Sequence, residues 1–208
     1  MAGDKVQALN SSILAQAWPQ GAGQNRVADL GDALALIAAQ QRRITYLESL
    51  ALTDELTGVF NRRGLTRALQ RELAAAMRDQ CGGGVLILYD LDGFKRINDR
   101  YGHQAGDAYL QAFASVLLAE VRPSDIVARL GGDEFAVILT RTPARIGQAR
   151  AKLLTESLNS KSMSWRRSCL PLRASFGTTS YRKGDLVDAV LASADLKLYS
   201  NKQKRKGG

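Results

Sequence analysis

Residues 125–140 read DIVARLGGDEFAVILT, and this stretch decides the fold. Two apolar runs of strand length, Ile126 to Leu130 and Phe135 to Leu139, flank Gly131 and Gly132. Apolar runs interrupted by a Gly-Gly pair signal a β-hairpin. This turn is followed at once by two acids, Asp133 and Glu134. The glycines remove side chains where the backbone reverses, so a bulky anion can approach the main-chain N–H groups, with both carboxylates beside the opening.

Working outward, residues 82–92 read GGGVLILYDLD, a glycine-bounded apolar run suited to a strand buried on both faces. Asp90 and Asp92 stand where that run ends, two residues apart and therefore on one face. Carboxylates at a strand end are a common way to hold a hard, oxygen-seeking cation such as Mg²⁺. A lone pair of this kind is far more often a solvated strand end with helix caps. The next segment, NDRYGHQAGD, sets Asn98, His103 and Asp107 on a loop and helix start. A guanine Watson–Crick edge presents N1–H and N2–H₂ as adjacent donors, and one carboxylate accepts both. Asp107 thus suits guanine better than adenine, and Asn98 can bond elsewhere on the base. Caps and turns favour the same residue types without any ligand.

The rest of the chain frames these segments. TDELTGVFNRRGL, residues 53–65, predicts a capped turn and then a helix to about Met77. Helical spacing of Tyr109, Leu110, Phe113, Leu117 and Leu118 predicts a helix over about Ala105 to Val121, and another spans about Pro143 to Leu158. LPLRASFGTTSY alternates as a strand, and DLVDAVLASADLKLYSNK is a final amphipathic helix. Strands and helices alternating around a hairpin indicate an α/β or α+β sandwich. Ahead of this domain, Met1 to Asn25 reads as a short helix ending near Pro19 and then a small-residue linker. Val27, Leu30, Leu34, Ile37, Ile44, Leu47 and Ala51 then mark one face of a helix from Arg26 to about Leu52. Such a seam fits either a coiled coil or packing onto the domain. The expected division is an N-terminal helical extension at 1–52 and a compact domain at 53–208 that carries these segments.

With 208 residues, 45% hydrophobic and 24% charged, the chain is long enough for one soluble core plus an extension. No apolar run approaches a bilayer span, and the N-terminus lacks the basic start and apolar centre of a signal peptide, so a cytoplasmic protein is expected. Cys81 and Cys169 are isolated, which argues against zinc or a disulfide. Trp18 and Trp165 read as packing residues. A formal net charge of +9 calls for an anionic partner, and nucleotide phosphates, nucleic acid or acidic lipid all qualify.

Together DELTGVFNRR, YDLDGFKRINDRYGHQAGD, RLGGDEF, ASFG and ADLKLYSNK, in this order from about Thr53 to Lys206, resemble the GGDEF family of diguanylate cyclases. The resemblance implies an α+β fold like nucleotide-cyclase and polymerase-palm domains, with a mainly antiparallel sheet wrapped by helices. It also implies condensation of two GTP into cyclic di-GMP and two pyrophosphates. Asp90 and Asp133 match metal ligands, assisted by the Leu91 carbonyl, for two Mg²⁺ or Mn²⁺ ions per site. Lys95 matches a phosphate-contacting lysine, and Asn98 and Asp107 the guanine-reading pair. His103 lies in the adjoining substrate loop, and Gly131 and Gly132 form the phosphate turn. Asp133 or Glu134 accepts the proton. Lys202 is a phosphate-binding candidate, whereas Arg205 and Lys206 depart from the family's following pattern.

One such domain offers one guanine pocket and one phosphate cradle. A product joining two nucleotides therefore implies a homodimer, with the N-terminal helix as the pairing or regulatory-partner surface. Arg122 and Asp125 form an RxxD that resembles the family's product-inhibition site. The main alternative is a catalytically silent cyclic di-GMP receptor or scaffold, which would predict loss of Asp90, Asp133 or the glycine pair. A nucleotidyl cyclase or polymerase-like enzyme using another nucleotide is set against by Asn98 and Asp107. Nucleic-acid binding ranks last, because basic and aromatic residues are not interleaved.

Overall fold

The computed structural model describes residues 22–76 and 83–206. The expected first helix before Pro19, Trp18 and Cys81 lie outside the described residues. The chain divides into two compact units, Met1–Glu48 and Ser49–Gly208. Helix α1 (Ala22–Leu52) begins inside the stretch read as a linker, where only Gly23 opposes helix formation. Leu34, Ile37, Ile44 and Leu47 on this helix are exposed.

The second unit contains α2 (Arg62–Ala76), β1 (Gly84–Leu91), α3 (Phe94–Tyr101), α4 (His103–Glu120), β2 (Ile126–Gly131) and β3 (Glu134–Leu139). It continues with α5 (Ala144–Ser160), β4 (Ser162–Trp165), β5 (Ser168–Pro171), β6 (Ala174–Tyr181) and α6 (Val187–Lys206). The main sheet has the order β2-β3-β1-β6, and every pairing in it is antiparallel. β4 and β5 form a separate hairpin; the sequence pattern assigns no element to Ser162–Trp165 and takes Leu170 and Pro171 of β5 into the strand that follows.

β1 reads as a continuous apolar run because it is a central strand covered on both faces. Val85, Ile87, Tyr89 and Leu91 join a cluster with Tyr109, Phe113 and Leu117 of α4 and Leu154 and Leu158 of α5. Leu86 and Leu88 face the other way, into Leu65 and Leu69 of α2 and Val190, Ala194 and Leu198 of α6. Trp165 packs against the first cluster from its rim. The result is the expected α+β architecture, an antiparallel sheet wrapped by helices. Among the described residues, no helix is long and apolar enough to cross a membrane.

Candidate functional site

The β1–β3 pairing joins the two acidic segments, which are distant in sequence. Asp90 stands opposite Glu134 on one side and Ser175 of β6 on the other. At the strand ends, the Leu91 N–H donates to the Asp133 carbonyl at 3.1 Å and the Asp92 N–H to the Arg173 carbonyl at 2.9 Å. The β2–β3 register shifts between Arg129 and Gly131, a bulge that precedes the turn. Gly131 and Gly132 adopt φ of 143° and 51°, and a Cβ at either would meet nothing within 4 Å. Backbone conformation, not crowding, therefore calls for glycine here.

Asp90 and Asp133 open into a cavity of about 750 Å³ together with Lys95, Arg96, Arg173 and Lys202. Asp92 and the backbone of Leu91 and Gly93 complete its acidic wall. The Asp92 carboxylate accepts from Ser175 Oγ at 2.8 Å. Lys202 Nζ lies 2.6 Å from Asp90 Oδ2. Burial pushes the Asp90 carboxyl above the ordinary range; Lys202 pulls it back, while Asp133 and Asp92 push it further up. Oxygen donors crowded at one strand end, where Asp133 and Asp92 add to the raised proton affinity of Asp90, fit a hard divalent cation. Among the described residues, no three His, Cys, Asp or Glu side chains form a ready-made cage. Acids beside four cationic side chains suit a ligand that brings metal and phosphate together.

The other expected site residues fall into three places. Asn98 lies on α3 rather than on a loop, because Gly93 in the left-handed region starts a helix without a side-chain cap. The Gly102 N–H closes that helix on the Asn98 carbonyl at 2.9 Å, and α4 begins at once with His103. The Asn98 side chain lies over Gly106, where any Cβ would collide with it. Asn98, His103 and Asp107 thus gather at the α3–α4 corner, with His103 and Asp107 exposed, and none lines the acidic cavity.

Glu134 opens onto a different cavity of about 320 Å³, shared with Arg62 and Asp195. Its carboxylate lies 3.6 Å from the Arg62 guanidinium. The Asp125 side chain is fully buried and accepts from the Arg122 N–H at 3.1 Å, the Thr140 N–H at 3.0 Å and Arg150 at 2.8 Å. Arg122 itself is exposed. Of the C-terminal basic residues, Lys202 reaches the cavity, and the side chains of Lys204, Arg205 and Lys206 lie outside the described set.

Sequence reasoning missed Arg96, Arg173 and Ser175, which line the cavity. It also gave no role to Arg129. Arg173 sits at the break between β5 and β6, and reading LPLRASFG as one strand hid that break.

Residues 51–207 match the family model described as "Diguanylate cyclase, GGDEF domain". Diguanylate cyclase DgcP of Pseudomonas aeruginosa is 38% identical over 154 residues, which are 74% of this chain and 23% of that protein. The bifunctional diguanylate cyclase/cyclic di-GMP phosphodiesterase MucR of the same organism is 37% identical over 164 residues, 78% of this chain and 24% of that protein. The chain thus spans about a quarter of these relatives. The structure resembles that of the P. aeruginosa diguanylate cyclase SiaD in complex with its activator SiaC. The TM-score is 0.76 at 27% identity, covering 97% of this chain and 76% of that one. It also resembles the coiled coil and GGDEF domain of DgcB from Caulobacter crescentus in complex with c-di-GMP. There the TM-score is 0.74 at 28% identity, over 85% of this chain and 94% of that one.

Proposed function

Because the chain belongs to the GGDEF-domain family of diguanylate cyclases, we propose that it condenses two GTP molecules into cyclic di-GMP and two pyrophosphates. The observation that supports this best is the shared cavity. Asp90 and Asp133, brought together by strand pairing, face Lys95 and Lys202 beside the bulged glycine turn. Asp90, the Leu91 carbonyl and Asp133 would hold the divalent cations, Mg²⁺ or Mn²⁺, two per site. When bound, such ions acidify the attacking 3′-hydroxyl and offset charge on the α-phosphate and the leaving pyrophosphate.

The protein's own groups do the rest. Lys95 and Lys202 bind phosphate oxygens, and Lys202 exchanges its Asp90 partner for them. Gly131 and Gly132 leave the turn backbone open to the phosphates. Asp133 is the better placed proton acceptor, since Glu134 opens onto the other cavity and pairs with Arg62. Asn98 and Asp107 at the α3–α4 corner read the guanine edge, with His103 beside them. Two such domains face one another across a two-fold axis, as the symmetry of the product requires.

The exposed Leu34, Ile37, Ile44 and Leu47 of α1 offer a surface for a second copy or for a regulatory protein. The coiled coil in the DgcB structure and the activator in the SiaD structure give precedents for each. Arg122 is the accessible half of an inhibitory site for the product. Asp125 serves that site by shaping the loop through its bond to the Arg122 N–H.

The test is incubation of the purified protein with GTP and Mg²⁺, followed by nucleotide chromatography, alongside Asp133→Ala. Cyclic di-GMP and pyrophosphate from the wild type alone support the reading. A wild type that makes neither after bound nucleotide is stripped refutes it and leaves the receptor. Lys95→Ala should slow turnover by about a hundredfold.

A further inference from the structure

The Arg129 side chain is only 14% exposed, and every donor group of its guanidinium is engaged. Nε and one terminal nitrogen donate to the Gly132 carbonyl at 3.0 and 2.8 Å. The other terminal nitrogen donates to both carboxylate oxygens of Asp54, each at 3.2 Å. Asp54 is itself fixed by the Thr57 N–H at 2.9 Å and the Thr57 hydroxyl at 2.6 Å. Burial alone would raise its proton affinity, yet Thr57 and Arg129 outweigh that and hold the carboxyl below the ordinary range.

The Gly132 carbonyl belongs to the peptide that carries the Asp133 N–H. Fixing that oxygen fixes the peptide plane from which Asp133 departs. On the other side of Asp133, its own carbonyl accepts the Leu91 N–H at 3.1 Å. Both peptides flanking the acid are therefore held, one by the sheet and one by Arg129. The bulge between Arg129 and Gly131 takes this turn out of the regular ladder, so regular strand pairing does not supply the second tether.

The same arginine connects to the point where the chain enters the domain. The Arg129 N–H donates to the Phe60 carbonyl at 2.7 Å, and the Phe60 N–H to the Val127 carbonyl at 3.1 Å. Asn61, next in the chain, donates through Nδ2 to the Ala51 and Thr53 carbonyls at 3.0 and 3.1 Å. Its own N–H reaches the Leu52 carbonyl at 2.8 Å. Hydrogen bonds joined through the Phe60–Asn61 peptide and the Arg129 side chain thus connect the last turn of α1 to the Gly131–Gly132 turn.

We propose that Arg129, anchored by Asp54, is a positioning residue that sets the Gly132–Asp133 peptide for the reaction and ties it to the end of α1. The proposal rests on the cyclase reading for its kinetic consequence but not for its structural one. A planar fork is needed because one group must serve a carboxylate and a carbonyl at once; a lysine ammonium supplies the charge without that geometry. Misplacement of a reacting group by a fraction of an ångström to 1 Å lowers rate by about 10- to 100-fold.

The test compares Arg129→Lys, Arg129→Gln, Asp54→Asn and the double variant Asp54→Asn/Arg129→Gln in the full chain. Both Arg129 variants should lose about tenfold or more in kcat, with the KM for GTP changed by less than about threefold. They should also need more Mg²⁺ for half-maximal rate. Asp54→Asn should show a smaller loss, and the double variant should be no worse than Arg129→Gln, because Asp54 acts through Arg129. Independently of activity, hydrogen exchange in the metal-free protein should quicken in the peptide covering 129–135 and stay unchanged in β1 and α4. A kcat per folded molecule within twofold of wild type, with exchange at the turn unaltered, overturns the proposal even if thermal stability falls. If the wild type makes no cyclic di-GMP, the cyclase reading fails, and the exchange experiment still decides whether Arg129 holds the turn.

Discussion

Replacing Asp125 by alanine should damage the fold far more than any surface site of the same charge. Its carboxylate is fully buried and serves two backbone N–H groups and the Arg150 guanidinium at once. Arg150 is itself only 20% exposed, and one of its terminal nitrogens is already buried without a protein partner. Removing the carboxylate leaves a largely buried cation with no counter-charge and strands the Thr140 and Arg122 N–H groups. Breaking a buried ion pair from one side typically costs 3–5 kcal/mol, and the partial exposure of Arg150 places this case near ~3 kcal/mol. For a unit of this size, a urea m-value of ~2 kcal/mol per molar converts that to a midpoint lowered by ~1.5 M. Arg122→Ala, on an exposed side chain, should stay within ~0.5 kcal/mol, or ~0.25 M. Asp125→Ala/Arg150→Met should recover part of the loss, since it removes the orphaned charge as well. Urea unfolding followed by circular dichroism reads all three. If Asp125→Ala unfolds at the same urea concentration as Arg122→Ala, the buried pair is not a support of this loop and the argument fails. A practical consequence concerns the proposed product-inhibition site: there Arg122→Ala would test ligand contact alone, whereas substitution of Asp125 would mix binding with unfolding.

Asp90→Asn should abolish turnover yet raise the melting temperature of the metal-free protein at neutral pH, measured in chelator. The native carboxyl has a raised pKa, so ionisation works against the fold as pH rises above the unfolded value, and a neutral amide removes that penalty. Asp54 has the opposite sign. Its native pKa is depressed, so its contribution is present above the unfolded value of ~3.9 and is lost as pH falls through the lower native value. The stability gap between wild type and Asp54→Asn should be flat from about pH 5 to 7 and should narrow in urea titrations below about pH 4. Gly177→Ala would drive a methyl into the backbone of α6, at Leu198 N and 2.6 Å from the Ala194 carbonyl. A loss of ~2 kcal/mol, or ~6 °C in calorimetry, is expected, along with weaker GTP binding because α6 carries Lys202. Asn98→Ala and Asp107→Ala should raise the KM for GTP more than they lower kcat, the reverse of Asp133→Ala in steady-state assays.

What the sequence revealed depended on how local the cause was. β1 and the β2–β3 hairpin were legible because apolar runs and a glycine pair act over a few residues. The cavity's acids were legible as two separate segments, and only strand pairing joined them. The α3 helix was missed because it is eight residues long and opens on a left-handed glycine without a capping side chain. The β4–β5 hairpin was missed because its turn sets Arg166 at φ 51°, where a hairpin signal would show Gly or Asn. The work of Asp125 was hidden because its partner Arg150 lies on α5, 25 positions away. An RxxD read in isolation suggests two ligand contacts, whereas packing leaves one outward arginine and one inward carboxylate.

The same distinction explains how two adjacent acids come to do different work. Asp133 still belongs to the turn and faces the cavity, whereas Glu134 opens β3 on the side of Ala136 and Ile138, toward α2 and α6. Its approach to Arg62 ties the strand to a helix that also lies beside the entry of the chain. Arg62 bonds the Leu130 carbonyl at 3.3 Å as well, so one arginine of α2 spans both sides of the turn. With Arg129 on the Gly132 carbonyl and Leu91 on the Asp133 carbonyl, the turn is fastened at four points: the carbonyls of Leu130, Gly132 and Asp133 and the side chain of Glu134. A glycine pair gives this turn its open backbone but no rigidity of its own. Rigidity comes instead from arginines at positions outside the cavity, and under the proposed function this division of labour would let the turn accept a bulky anion without surrendering the placement of Asp133.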